Sequence, residues 1–186
     1  MDKNSSVKNM TRASMFIVVA LIITFMGARF GTAGINQWAI GPLVNAVIIL
    51  AILFTDLKFG LLVSLSTPVL ALITGQFTIP PFTPFIMAGN AVLTLVFFLC
   101  ARNIKKYGKY MGILFGAILK TAALTISIRY LVRLFKLAIP EPAIEKLTVM
   151  MFLPQFYSAI VGGIAALFLY SLLRNAIGDS PWLEQR

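Results

Sequence analysis

From Phe59 to Ala101 the chain carries no Asp, Glu, Lys or Arg. That is about twice the ~20 apolar residues that cross the hydrocarbon core of a bilayer as one helix. Its middle, Gly75-Gln76-Phe77-Thr78-Ile79-Pro80-Pro81-Phe82-Thr83-Pro84, breaks a helix, because each proline lacks an N–H donor and clashes with the preceding turn. The stretch therefore divides into two apolar helices, about 59–75 and 85–101, joined by an irregular link.

A bilayer is the solvent that such helices need. Hydrophobic residues make up 59% of the 186 and charged residues only 12%, against roughly 45–50% and about 25% in soluble domains. The mean hydropathy is +0.91. Four further apolar runs complete the pattern: Ala13–Phe30, Ile40–Phe54, Tyr110–Arg133 and Pro154–Leu173. The first follows a basic start, as a signal peptide would, but no small-x-small cleavage site ends it and more spans follow, so it reads as the first transmembrane helix. The expected fold is all-α and polytopic, with six transmembrane helices. Residues 1–186 form a single integral membrane domain with short tails at about 1–12 and 175–186.

The charges orient it. Sixteen Lys/Arg against six Asp/Glu give a net +10, which in a soluble chain would point to nucleic acid. Here the charges sit between apolar runs, so no nucleic-acid partner is expected. Lys3, Lys8, Arg12, Lys58, Arg102, Lys105, Lys106, Lys109, Arg174 and Arg186 fall on one side if both termini share a compartment. Arg29, Arg129, Arg133, Lys136 and Lys146 fall on the other. Short loops rich in Lys/Arg stay cytoplasmic, so both termini are predicted inside a multi-pass protein of the cell membrane.

Several chemistries are excluded. There is no His, and Cys100 is the single cysteine. An intrachain disulfide, a Cys/His metal site and a Ser–His or Cys–His pair are therefore impossible. No GxxxxGK[ST] loop is present to hold ATP, and no carboxylate lies within a span to carry protons or a coupling cation. No cofactor and no enzymatic activity of the chain itself are expected. A chain with a cavity and no energy source reads as a binding subunit energised by others.

Polar groups mark where that cavity should be. Asn36, Gln37, Trp38, Asn45, Gln76, Asn90, Gln155 and Tyr157 cluster towards the outer side. The segments Gly31–Ala39, Gly75–Pro84 and Leu134–Leu153 are expected to roof an outward-facing cavity, since irregular backbone at membrane depth needs protein or water around it. Lys120 lies about ten residues into the fifth span, ~15 Å deep. A cation there costs roughly 2.5–3.5 kcal/mol on insertion scales. It either snorkels inward or bonds to backbone carbonyls, or it meets an anionic substrate group; both readings are open. At about 100° per residue Ser127 returns to its face and Arg129 does not, so Lys120, Ser127 and Asn90 suit a deep pocket, while Arg129 and Arg133 suit the outer rim or lipid phosphate. Asn45 and Asn90 also suit interhelical hydrogen bonding, and Trp38 an aromatic belt or a lid. Ser158, Gly162 and Ala166 form a small-xxx-small stripe. Ala13, Ser14, Ala20 and Gly27 are small residues that serve either partner docking or internal packing.

The ordering Asn36-Gln37-Trp38-Ala39-Ile40-Gly41-Pro42-Leu43-Val44-Asn45-Ala46, then Thr67-Pro68-Val69-Leu70-Ala71 with Gly75-Gln76, then Pro84-Phe85-Ile86-Met87-Ala88-Gly89-Asn90-Ala91, and Leu153-Pro154-Gln155 with Gly162-Gly163, resembles the substrate-binding S component of an energy-coupling factor (ECF) transporter. The resemblance covers nearly the whole chain. It implies a bacterial membrane subunit that captures a vitamin or precursor on the outer face. It implies too that the subunit docks with a transmembrane coupling protein and two cytoplasmic ATPases, and topples to release its substrate inside. The implied substrate site takes in Asn36, Gln37, Trp38, Gln76, Asn90, Lys120, Ser127 and Gln155. The family's Ala-x-x-x-Ala docking motif is degenerate here, with Ala13 followed by Ile17 and Ser14 by Val18, which leaves Ala13, Ser14 and Ala20 as the docking candidates. Two other classes stay open: an autonomous small-solute channel, which would transport without partners, and a membrane scaffold, which would bind no small molecule.

Overall fold

The computed structural model describes residues 3–30, 36–76, 80–131, 144–145, 148–149, 152–178 and 181–184. These form six principal helices: α1 (Lys3–Phe30), α2 (Gly41–Phe54), α3 (Leu57–Ile73), α4 (Thr83–Asn103), α5 (Gly108–Ile126) and α6 (Leu153–Ile177), with a short α7 (Pro181–Glu184). No strand occurs among the described residues. The chain is an all-α membrane protein. α1, α5, α6 and α4 with its preceding 3-10 turn are each long and apolar enough to cross a bilayer. At 14 and 17 residues α2 and α3 are shorter. Part of the long segment expected between the fifth and sixth spans, including Arg133, Lys136, Lys146 and Pro140-Glu141-Pro142, lies outside the described residues.

The shortness of α2 has a packing cause. It packs against α1, α3, α4 and α6, and every residue from Asn45 to Phe54 is buried. A helix that is apolar all round is a core helix, and one sheathed by its neighbours need not match the thickness of the bilayer. Phe54 closes its C-terminal end, with its ring 5.2 Å from Tyr170 of α6 and 6.3 Å from Phe16 of α1.

The end of the bundle where α2 and α6 finish and α3 begins is tied by polar contacts. Asp56 caps α3 by accepting from the Phe59 N–H at 3.0 Å, and its other oxygen accepts from Asn9 at 3.2 Å. The Arg12 guanidinium donates to the Phe54 carbonyl at 2.7 Å and to the Ile177 carbonyl. One cation thus satisfies the C-terminal ends of α2 and α6, where the helix dipole is negative. The Trp182 indole of α7 donates to the Ile52 carbonyl at 3.1 Å and lies 5.0 Å from the Phe98 ring.

The small residues of α1 divide between the chain's own packing and its exposed face. Ala13 and Ala20 are fully buried against Val47 and Ala51 of α2 and Phe59 and Val63 of α3. A methyl side chain is what lets these backbones approach, so both serve the chain's own packing. Ser14 is exposed, with its hydroxyl turned back to the Met10 carbonyl.

Candidate substrate site

Lys120 is 2% exposed and stands ~18 Å along α5 from Gly108, at 1.5 Å per residue. Its ammonium donates to Asn45 Oδ1 at 2.7 Å. The Asn45 amide donates in turn to Ser158 Oγ at 3.1 Å and to the Gly41 carbonyl at 3.0 Å. The Ser158 hydroxyl donates to the Gln155 carbonyl at 3.0 Å. The donors run in one direction, from the cation to a helix-end carbonyl, so each bond polarises the next. The partner of Lys120 is thus a side-chain amide and not a backbone carbonyl. An ammonium has three donors, and Asn45 is the one acceptor that the described residues provide.

Close packing of α2 on α6 holds this relay. A Cβ at Gly162 would meet Asn45 Cβ at 2.8 Å and collide with the Pro42 carbonyl, and one at Gly41 would meet Ser158 Cβ at 3.0 Å. The stripe of Ser158, Gly162 and Ala166 is buried throughout. Ser158 does more than make room, because its hydroxyl is the middle of the relay.

At the N-terminal ends of the same two helices the Trp38 ring lies 4.9 Å from Tyr157, tilted by 58°. Trp38 sits in a π-helical turn, Asn36–Ile40, that leads into α2, and a second such turn, Ser127–Leu131, ends α5. Turns of this kind re-aim side chains and recur at functional sites. Ser127 is buried at the start of the second turn and Arg129 is exposed. Asn36 and Gln37 belong to the first turn by backbone, but their side chains lie outside the description. Gln76 and Gln155 are half-buried.

Asn90 faces elsewhere. Its amide donates to Thr67 Oγ1 at 3.1 Å and to the Ser64 carbonyl at 3.3 Å. Pro68, inside α3, has no N–H to offer the carbonyl four residues back, which is that of Ser64. The Thr67 hydroxyl donates to that carbonyl at 3.0 Å, and the Asn90 amide adds a second, longer bond. Among the described residues Asn90 makes no hydrogen bond to Lys120, and Asn90→Leu is expected to cost about 1 kcal/mol of stability, since it removes two donors while the Thr67 hydroxyl and the Ser64 carbonyl keep the bond between them. Thermal unfolding in detergent measures this; an unchanged midpoint would contradict it.

Sequence reasoning left Asn45 between the cavity and interhelical packing and gave Ser158 to a packing stripe, because a lone amide or hydroxyl in an apolar run suits packing as well. It also passed over Thr121 and Thr125 of α5, whose buried hydroxyls have no hydrogen-bond partner among the described residues. A threonine in a helix usually bonds its own i−4 carbonyl, so the sequence held no signal for them. With Lys120 and Ser127 they place four polar side chains along the C-terminal half of α5 and the turn that ends it.

A family model described as ECF transporter, substrate-specific component, matches residues 8–174. Comparison with curated proteins and with solved structures finds no significant match.

Proposed function

The chain belongs to the substrate-specific components of ECF transporters, and on that premise we propose that it captures a small anionic or strongly polar molecule, such as a vitamin bearing a carboxylate, at the outer ends of α2, α5 and α6. As a substrate-specific membrane subunit it works with a membrane coupling protein and ATPase subunits. The observation that carries the substrate class is the Lys120 ammonium, buried and given a neutral acceptor in Asn45. A buried cation without a counter-charge is costly, and an incoming carboxylate supplies that charge. Trp38 and Tyr157 cover the ligand, Gln76 and Gln155 supply polar contacts, and Asn36, Gln37 and Ser127 complete the rim.

The chain hydrolyses no ATP in this reading. Two cytoplasmic ATPases power the cycle, and the subunit, resident in a bacterial cell membrane with both termini inside, topples to deliver its substrate. The coupling protein meets the outward face of α1, where Ser14, Val18 and Ile22 follow at helical spacing and are exposed, with Ala13 and Ala20 supporting that face from behind.

Proteoliposome uptake tests the assignment. With a panel of radiolabelled carboxylated vitamins, accumulation is expected only when the coupling protein, both ATPases and ATP are present. Uptake by the chain alone would overturn it in favour of a facilitator.

A further inference from the structure

The amide of Asn45 has one permitted orientation. A carboxamide is nearly symmetric in shape, so its partners decide which end is oxygen and which is nitrogen. Here the Lys120 ammonium can only donate and the Gly41 carbonyl can only accept. Turning the amide over would set donor against donor and acceptor against acceptor. A serine hydroxyl can do either, but the Ser158 proton goes to the Gln155 carbonyl at 3.0 Å, which leaves a lone pair for the Asn45 amide at 3.1 Å. We propose that Ser158 is a positioning residue for the substrate: by fixing the Asn45 amide it aims the Lys120 ammonium at a carboxylate, and so sets a preference for an acid over its amide. This role rests on Lys120 meeting the substrate, as in the function proposed for the chain.

Two bonds anchor the amide, and they differ in kind. The Gly41 carbonyl lies four residues back on α2, so that bond travels with the helix that carries Asn45. Ser158 belongs to α6, 113 residues away in the chain, and its bond fixes the amide between two helices. Asn45, Lys120 and Ser158 are all buried. Both amide protons of Asn45 are used, so none is left for a ligand. Asn45 therefore acts on a substrate only through Lys120, and Ser158 acts only through Asn45.

The consequence falls on the ammonium, whose three N–H bonds turn together about Cε–Nζ. With one of them held by Asn45 Oδ1 at 2.7 Å, the other two have set directions. Neither has a partner among the described residues. Two preset donors on a cation suit a group with two acceptor oxygens and a negative charge, which is a carboxylate. The primary amide of the same acid brings one oxygen, no charge, and an NH2 group that the donors oppose. A side chain already immobilised spares the ordering cost of binding, which corresponds to roughly two- to tenfold in affinity.

The test uses the full chain in a neutral detergent, with its lysines labelled with nitrogen-15. The Lys120 ammonium resonance is identified by its loss in Lys120→Met. Acetate, hexanoate and nicotinate are titrated beside their primary amides, and the shift of that resonance gives each dissociation constant. At least one acid is expected to bind about tenfold more tightly than its amide. Ser158→Ala should weaken that acid roughly two- to tenfold and its amide by less than about twofold. Ser171→Ala removes a hydroxyl that makes the same kind of bond, to the carbonyl three residues back at 2.7 Å, on the exposed side of α6, and should change neither constant. If Ser158→Ala does not fold, Ser158→Cys carries the same comparison, because a thiol is a weak acceptor. A resonance that no acid moves would overturn the placing of Lys120 in the site, and the role of Ser158 with it. Equal constants in the wild type and Ser158→Ala would overturn the role of Ser158 alone and leave Lys120 in the site. Equal weakening of acid and amide, or an equal effect of Ser171→Ala, would return Ser158 to packing.

Discussion

Lys120→Met is expected to lower substrate affinity at least tenfold in protein that remains folded. A hydrogen bond to a charged group contributes about 1.5–3 kcal/mol, which corresponds to roughly ten- to 150-fold in the dissociation constant. Methionine keeps the length and packing of the lysine stem and removes a cation whose insertion costs roughly 2.5–3.5 kcal/mol. What it leaves behind is Asn45 Oδ1 without its 2.7 Å donor, a loss of about 1–3 kcal/mol. The two stability terms oppose each other, so the fold survives and binding shows the change. Titration with the vitamin that the uptake panel identifies measures it. Unchanged affinity would remove Lys120 from the site and return it to a structural role.

Asn45→Leu should act on stability instead, and strongly. It strips the buried ammonium of its acceptor and takes from Ser158 the 3.1 Å donor. Removing the one acceptor of a buried ammonium leaves a charged donor unsatisfied, which costs about 3 kcal/mol or more. For a chain of this length that is a fall of about 10 °C in the midpoint of thermal unfolding. The double variant Lys120→Met/Asn45→Leu removes both partners and should recover most of the loss, since replacing a buried polar pair by apolar groups is close to neutral. A coupling energy of about 2 kcal/mol or more in that cycle is the expected result. Additive effects would mean that the two residues do not depend on each other.

The contrast between these variants shows what one sequence can and cannot convey. The uninterrupted apolar stretch from Phe59 to Ala101 and its proline-rich middle located α3 and α4 to within a few residues. Helical spacing placed Lys120 at membrane depth. The identity of its partner was not legible, because which face of α2 meets α5 is decided by interhelical register, and neither helix carries that register alone. The same limit applied to Asn90. Its amide bonds to Thr67 and to the Ser64 carbonyl one helix away, and that is visible only once α3 and α4 are side by side. Ala13 and Ala20 looked equally suited to a partner and to the core, since small residues serve any close approach. The structure spends them on α2 and α3.

The length of α2 carries the same lesson in reverse. An apolar run of that size reads as one more span, yet its complete burial from Asn45 to Phe54 makes it the axis around which the others pack. Trp38 and Tyr157 pair at the N-terminal end of that axis, and Lys120 of α5 reaches it through Asn45.

Native mass spectrometry of the tagged protein, taken gently from its own membrane, tests the central claim most directly. The account expects a bound small molecule released by Lys120→Met, or a complex with a coupling protein and two ATPases. A chain that carries neither, even after incubation with metabolite extract and carboxylated vitamins, would contradict it.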